Sequence, residues 1–163
     1  MYALQLDLAG IEFYFSLSGY VKNGRELDEW CDVTITLKGR MLNYQRIRDN
    51  ILESSEVEGL IDWLEEKDTE HLPFYEPYLE FCYKIGPNST EPSIYLRVNL
   101  YDAGAITDNW LEVCLHEEDI QCLIAYLKLA TRQIKEDDEK IQQMIADKIL
   151  VEDYKKHYEK DWW

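Results

Sequence analysis

Two stretches of sequence decide the fold: SSEVEGLIDWLEE at residues 54–66 and EEDIQCLIAYLKL at residues 117–129. In each stretch, four apolar residues recur at i, i+3, i+4 and i+7, a spacing that places them on one face of a helix. These residues are Val57, Leu60, Ile61 and Leu64, and then Ile120, Leu123, Ile124 and Leu127. Ser54 or Ser55 is expected to cap the first helix, and the acids at 117–119 suit the positive end of the second. The pattern therefore predicts two amphipathic helices that cover a sheet.

The two helical patterns are 63 positions apart, as Val57 and Ile120 show, and the strands before them follow the same shift. Alternating apolar residues indicate a strand with one buried face in each half. They are Cys31, Val33, Ile35 and Leu37, and then Ile94, Leu96, Val98 and Leu100. We interpret this match as an internal pseudo-repeat of about residues 11–66 and 77–135.

Alternation predicts strands at residues 11–21, 30–38, 41–52, 79–85, 93–101 and 110–115, with a weaker signal at 2–8. Short connections between successive strands favour antiparallel pairing. The predicted fold class is therefore α+β. It has one antiparallel sheet of about six strands in two strand-strand-strand-helix halves, with both helices packed on one face. Residues 1–135 form the single α+β domain in this interpretation.

Residues 136–163 are predicted to form a C-terminal helical extension, because Ile141, Met144 and Ile145 continue a helical period. The helix from residue 117 could run on into it, or could break and restart. Trp162 and Trp163 are costly to expose, so we expect them to dock against the sheet or to be buried in a partner.

The charge of the chain is strongly negative and uneven. Its formal net charge is −16, and residues 52–80 hold ten acids against the single base Lys67. Such a chain is not expected to bind nucleic acid through phosphates, nor an anionic membrane surface. A localised acidic field instead attracts basic partners, although an acidic run can also serve only solubility.

The N-terminus lacks the features of a secretory signal, and no window is apolar enough to span a membrane. We therefore expect a cytoplasmic protein. The four cysteines, Cys31, Cys82, Cys114 and Cys122, have no metal-ligand spacing and are expected to be free thiols.

No catalytic motif stands out in the sequence. His116 is followed by three acids, but adjacent residues rarely converge on one ion, so these acids fit a helix N-terminus better. Glu70, His71 and Glu76 could hold an ion or act as acid and base, although an acidic surface loop explains them more simply. We expect no catalytic residue, no metal and no cofactor.

The layout resembles that of bacterial immunity proteins of polymorphic toxin systems, in particular the WapI-like group. The matching stretches are IEFYFSL, WCDVTITLKG, EVEGLIDWLEE, EPYLEF, IYLRVNL and WLEVCLHEEDIQCLIAYL, which together cover about residues 11–130. The resemblance implies a small cytoplasmic α+β protein that binds a cognate toxin domain. It identifies no binding residues.

Three functions follow from these patterns. The first is a non-enzymatic immunity protein that binds and neutralises a toxin domain, expected to be basic, through an acidic and aromatic surface. The partner-binding residues predicted for that surface are Glu65, Glu66, Asp68, Glu70, Tyr75, Glu76, Tyr78, Tyr95, Tyr101 and Trp110. The second is an intracellular adaptor or regulatory subunit that docks through its C-terminal helix. The third is a small hydrolase that uses Glu70, His71 and Glu76, or His116. Each of these three functions is compatible with a homodimer.

Overall fold

A computed structural model describes residues 1–25 and 28–153, apart from the side chain of Arg48. The first half of the chain contains four strands and a helix: β1 (Tyr2–Leu8), β2 (Ile11–Ser18), β3 (Trp30–Gly39), β4 (Leu42–Glu53) and α1 (Ser54–Glu66). The second half repeats this order: β5 (His71–Pro73), β6 (Leu79–Ile85), β7 (Pro92–Asp102), β8 (Ala105–Leu115) and α2 (Glu117–Ala130). Helix α3 (Glu139–Ala146) and strand β9 (Leu150–Glu152) follow.

The strands form two antiparallel sheets. The first sheet has the order β4-β3-β2-β1-β9, and the second has the order β5-β6-β7-β8. The predicted α+β class and antiparallel pairing are confirmed, but the prediction of one six-stranded sheet is wrong. The free edge of β1 pairs with β9 through Tyr2 to Glu152 and Leu4 to Leu150, so it is not available to a strand of the second half.

One hydrophobic core joins both sheets and both long helices. A single internal space is lined by the inner faces of the two sheets and by the apolar faces of α1 and α2. Its lining is Phe13, Phe15 and Ile35, then Leu79, Phe81 and Leu96, and then Leu52, Leu60 and Leu123. The eight helical apolar residues that the pattern singled out are all buried in this core. Each sheet therefore uses one face to form the core, and its other face points outwards.

The predicted helices match α1 and α2 closely, but their caps differ in part. Glu53, not Ser54 or Ser55, occupies the N-cap position of α1, and Glu56 accepts the Glu53 backbone N–H at 3.0 Å. Ser54 is buried and its hydroxyl accepts the Val21 backbone N–H instead. At α2, His116 is the N-cap and Asp119 accepts its backbone N–H at 2.9 Å, as the helix N-terminus prediction required.

Two short strands and the first residues of β8 were not predicted. Strands β5 and β9 have three residues each, which is too short for a detectable alternation. The predicted loop at 102–109 is mostly strand, because β8 starts at Ala105 after a turn in which Ala103 and Gly104 both have positive φ.

Up to Asp153, where the described residues end, the C-terminal segment is helical only in part. The chain breaks after α2, with Arg132 at φ 62°, and restarts at α3, where Asp138 accepts the Lys140 N–H. Ile141 and Met144 of α3 and Leu150 of β9 are buried in the common core. Residues 139–152 thus pack against the common core and add an edge strand to the first sheet. Trp162 and Trp163 lie outside the described residues.

Candidate functional site

The outer face of the second sheet carries rows of charged and aromatic side chains. Glu80 of β6, Arg97 of β7 and Glu112 of β8 lie opposite one another in register. In the next row, Tyr95 of β7 lies between Cys82 of β6 and Cys114 of β8. This face points away from the core, since the alternate residues Phe81, Leu96 and Val113 are the buried ones.

The charges on this face pair with each other. Arg97 contacts Glu112 at 2.7 Å and Glu80 at 3.6 Å, and the Lys84 ammonium contacts Glu112 at 2.7 Å. Burial opposes the ionisation of Glu112, yet the hydrogen bonds from Lys84 and Arg97 outweigh it and hold the pKa of Glu112 below its usual value. The two cations and two carboxylates balance, so the face itself is close to neutral.

Aromatic rings flank these charges. Trp110 is 52% exposed, and the Arg97 guanidinium lies 4.6 Å from its ring centroid. Lys84 lies 5.4 Å from the centroid of Tyr95. The Tyr95 hydroxyl fills the space beside Gly86, where a Cβ would overlap it, so glycine is required for this ring position. Trp110 and Tyr95 are therefore held in place before any partner arrives.

Tyr78 and Tyr101 lie at the end of the same sheet, but they are engaged inside the molecule. Their rings stack with centroids 4.5 Å apart. The Arg46 guanidinium of β4 lies 3.7 Å from the Tyr78 centroid and 4.7 Å from that of Tyr101. These two predicted contact residues thus form a cation–π link between the two sheets.

Two of the predicted acidic residues, Glu65 and Glu66, end α1, and Asp68 and Glu70 follow in the turn between α1 and β5, at the β5 edge of the second sheet. Glu65 pairs with Lys128 of α2 at 2.5 Å, so its charge is neutralised internally. Glu66, Asp68 and Glu70 are exposed, and none of them forms an ion pair within the described ranges. We refer to these three as the acidic turn. Its charge is available to a partner, whereas that of Glu65 is largely not.

Tyr75 and Glu76 lie in the loop between β5 and β6. Tyr75 is 51% exposed, and its backbone N–H donates to Glu56 of α1 at 2.5 Å. Burial, with help from neighbouring acids Glu53 and Glu76, raises the pKa of Glu56 to about 7. Glu56 therefore ties the loop to the start of α1.

The division into two sheets changes which residues share an outer face. In the predicted single sheet, Asp32, Thr34, Thr36 and Lys38 of β3 would lie on the same face as Tyr95 and Trp110, but β3 belongs to the first sheet. There Thr34 and Thr36 are buried, as are Tyr14 and Ser16 of β2 beside them. The predicted face is therefore two faces: the centre of the first is buried, whereas the second presents partly exposed Tyr95 and exposed Trp110.

Four members of the face were missed as site residues: Glu80, Lys84, Arg97 and Glu112. Their parity in the sequence put them on this face, but only the strand register shows that they form one network. Cross-strand pairing depends on the register, which alternation within one strand does not define.

A surface groove with a volume of about 760 Å³ lies elsewhere, on the first sheet. Its lining mixes both signs of charge, including Glu12, Lys38, Arg40, Asp147 and Lys148.

The two histidines proposed for a hydrolase have other partners in the structure. His116 caps α2, and His71 pairs with Glu80 at 2.8 Å. No helix among the described residues is long and apolar enough to cross a membrane.

Comparison with known proteins agrees with the resemblance noted from the sequence. A search of curated proteins and a search of solved structures each found no match to the chain. The model of the family described as "Immunity protein WapI-like family" matches residues 3–135, which is most of the chain and covers strands β1 to β8 and both long helices. Proteins of such a family typically act by binding a cognate toxin and are not enzymes. The chain belongs to the WapI-like immunity protein family.

Proposed function

We propose that the chain neutralises its cognate toxin domain by binding it with the outer face of the second sheet and the adjoining acidic turn. The observation that carries this proposal is the contrast between the two outer faces. The centre of the first is buried, while the second presents half-exposed Trp110 beside the paired charges of Arg97 and Glu112. Tryptophan and arginine are the residues on which binding energy at interfaces concentrates.

The size of this face supports an interface that extends beyond it. The three longer strands, spaced about 4.8 Å apart, cover roughly 10 Å by 23 Å over the seven residues of β6. That is less than half of the ~800 Å² that each partner contributes to a standard interface. Tyr75 in the β5–β6 loop and the acidic turn adjoin the β5 edge and supply further surface.

The two parts of the surface have different roles in this proposal. Trp110, Tyr95 and the paired charges provide preorganised contacts, which chiefly set the dissociation rate. The unpaired acids Glu66, Asp68 and Glu70 attract a basic partner and raise the association rate, an effect that salt screens. A basic toxin domain is the partner that this arrangement fits best.

The test is the affinity of the full chain for the toxin domain encoded beside it, measured by surface plasmon resonance. Trp110→Ala is expected to raise the dissociation rate at least about tenfold, which corresponds to ~1.4 kcal/mol. Met41→Ala is the matched control, because Met41 is fully exposed on the turn between β3 and β4 of the first sheet. Equal affinities for the two variants, or no complex with the wild-type chain, would refute the proposal.

A triple variant separates the second role. Glu66→Gln, Asp68→Asn and Glu70→Gln together are expected to lower the association rate severalfold at low salt and to leave the dissociation rate nearly unchanged. An unchanged association rate would exclude the acidic turn from the encounter.

The adaptor alternative lacks support from the C-terminal segment. The apolar residues Ile141 and Met144 of α3 are buried against this chain's own core, so that helix face is already occupied. A homodimer through a sheet edge stays a prediction, which light scattering of the purified chain tests directly.

A further inference from the structure

We propose that His71, Glu80 and Cys82 form a zinc-binding site at the β5 edge of the second sheet. The inference does not rest on toxin binding, and its test uses the metal ion alone. The three side chains offer an imidazole nitrogen, a carboxylate oxygen and a thiol sulfur, and these atoms all lie within 4.8 Å of one another.

The strand register holds the three residues together. His71 of β5 lies directly opposite Cys82 of β6, and Glu80 precedes Cys82 by two residues on the same face. The His71 Nδ1 atom is 2.8 Å from Glu80 Oε1 and 3.4 Å from Cys82 Sγ. Donors around a tetrahedral zinc ion, with bonds of about 2.0–2.3 Å, lie roughly 3.3–3.6 Å apart. Small side-chain rotations therefore bring these atoms to bonding positions.

The donor set favours zinc over the harder cations. Magnesium and calcium prefer oxygen ligands, whereas thiolate and imidazole bind zinc, and a carboxylate completes many zinc sites. Three protein ligands leave a fourth position for water or for a partner's side chain. The His71 side chain is half-exposed and that of Glu80 is partly exposed, while Cys82 is fully buried, so an ion reaches the cluster from the His71 side.

A neighbouring cation orients the carboxylate ligand. Glu80 directs Oε1 towards His71 and Oε2 towards Arg97, whose nearest nitrogen is 3.6 Å away. Such outer contacts to a ligating carboxylate are typical of metal sites and fix its direction. On binding, the Cys82 thiol releases its proton to solvent, the ring proton of His71 moves from Nδ1 to Nε2, and Nδ1 then gives its lone pair to the ion.

The experiment uses the purified full chain after treatment with a chelator. Titration with Zn²⁺ in a calorimeter is expected to show one ion per chain and to raise the melting temperature as zinc is added. Titration with Co²⁺ is expected to give a thiolate-to-cobalt charge-transfer band, a signal that requires a cysteine ligand. His71→Ala changes a half-exposed residue, preserves the fold, and is expected to weaken binding at least about tenfold.

Matched variants decide the assignment of the ligands. Cys82→Ser should remove the charge-transfer band, while Cys114→Ser, on the same outer face, should retain it. Glu80→Gln should weaken zinc binding, and Glu70→Gln, which removes the same charge next to His71, should not. Stoichiometric binding that survives His71→Ala, a cobalt spectrum without the thiolate band, or no zinc binding at micromolar concentrations would each overturn the proposal.

Discussion

The two halves of the chain build the same sequence of elements but expose them differently. Each half forms a four-stranded antiparallel meander and then a helix. In the first half, strands β2 and β3 are buried on both faces at their centres, including Tyr14, Thr34 and Thr36. In the second half, the equivalent strands β6 and β7 bury one face, and Cys82 is the one buried residue that they place on the other face. The same order of elements can therefore be buried on both sides in one half of a chain and present a contact surface in the other half.

The C-terminal segment is one cause of this difference. Strand β9 pairs with β1, and Asp153 just after it accepts a hydrogen bond from the buried Tyr14 hydroxyl at 2.7 Å. The family match ends at residue 135, so this addition lies outside the matched region. The first sheet therefore gains cover that the second sheet does not have.

The largest expected effect compares two leucines that occupy equivalent positions in the halves. Leu37 is fully buried, whereas Leu100 is 36% exposed. Leu37→Ala is expected to lower the free energy of unfolding by about 2–5 kcal/mol, the range for a core cavity. Leu100→Ala should cost less than about 1 kcal/mol, as surface changes do. Urea unfolding of both variants measures the difference, and equal losses would contradict the asymmetry of the halves.

The next effect concerns the hydrogen bond that ties α2 of the second half to the first sheet. The buried Tyr126 hydroxyl accepts the Leu17 backbone N–H at 2.8 Å and donates to the Tyr2 carbonyl at 3.2 Å. Tyr126→Phe leaves the Leu17 N–H buried without a partner and should cost about 1–3 kcal/mol in urea unfolding. Tyr2→Phe, which loses only an exposed bond to Glu136, is the control and should cost less. A larger loss of stability for Tyr2→Phe than for Tyr126→Phe would show that the hydrogen bonds of Tyr126 do not stabilise the fold.

A smaller effect is expected at the cation–π link between the sheets. Arg46→Ala removes the guanidinium from Tyr78 and Tyr101 and should cost about 0.5–2 kcal/mol. Arg46→Lys keeps the charge but not the planar stack, so it should recover only part of that loss. Arg40→Ala, an exposed arginine of the β3–β4 turn, serves as the control in thermal unfolding. Full recovery by lysine would show that charge alone matters.

The smallest expected effect is a pH dependence at Glu56. Because the pKa of Glu56 is raised to about 7 in the folded chain, the folded state holds this proton more tightly than the unfolded state does. Stability contributed by this group is therefore present below the unfolded pKa and is lost as the pH rises towards 7. Glu56→Gln should flatten the stability profile over that interval. Asp62→Asn, on the exposed face of the same helix, should keep the wild-type profile, and an identical profile for Glu56→Gln would exclude this role.

Much of the fold could be predicted because it depends on local periodicity. The four apolar residues of each helix pattern and the alternation of Cys31 to Leu37 correctly indicate elements that bury one face. The division into two sheets could not be predicted, because it depends on β9, whose three residues give no periodic signal. The cap at Glu53 was missed because Ser54, the better capping type by statistics, bonds to Val21 instead.

The candidate site could be predicted only as a list of residue types. Parity placed Tyr95 and Trp110 on one face, but it gave no information on partners within that face. Glu65 was assigned to the acidic surface although it pairs with Lys128, a residue 63 positions away along the chain. His71 was grouped with Glu76 by proximity in sequence, whereas the β5–β6 ladder sets it opposite Cys82. Both pairs depend on which residues of distant elements lie opposite each other, and a single sequence does not contain that information.

The most direct test of the central claim is hydroxyl-radical footprinting of the chain alone and in complex with its cognate toxin domain. Trp110 on the second sheet and Met41 on the first are both readily oxidised residue types, and both are exposed. We expect the complex to protect Trp110 strongly and to leave the oxidation rate of Met41 unchanged. Protection of Met41 with no change at Trp110 would contradict it.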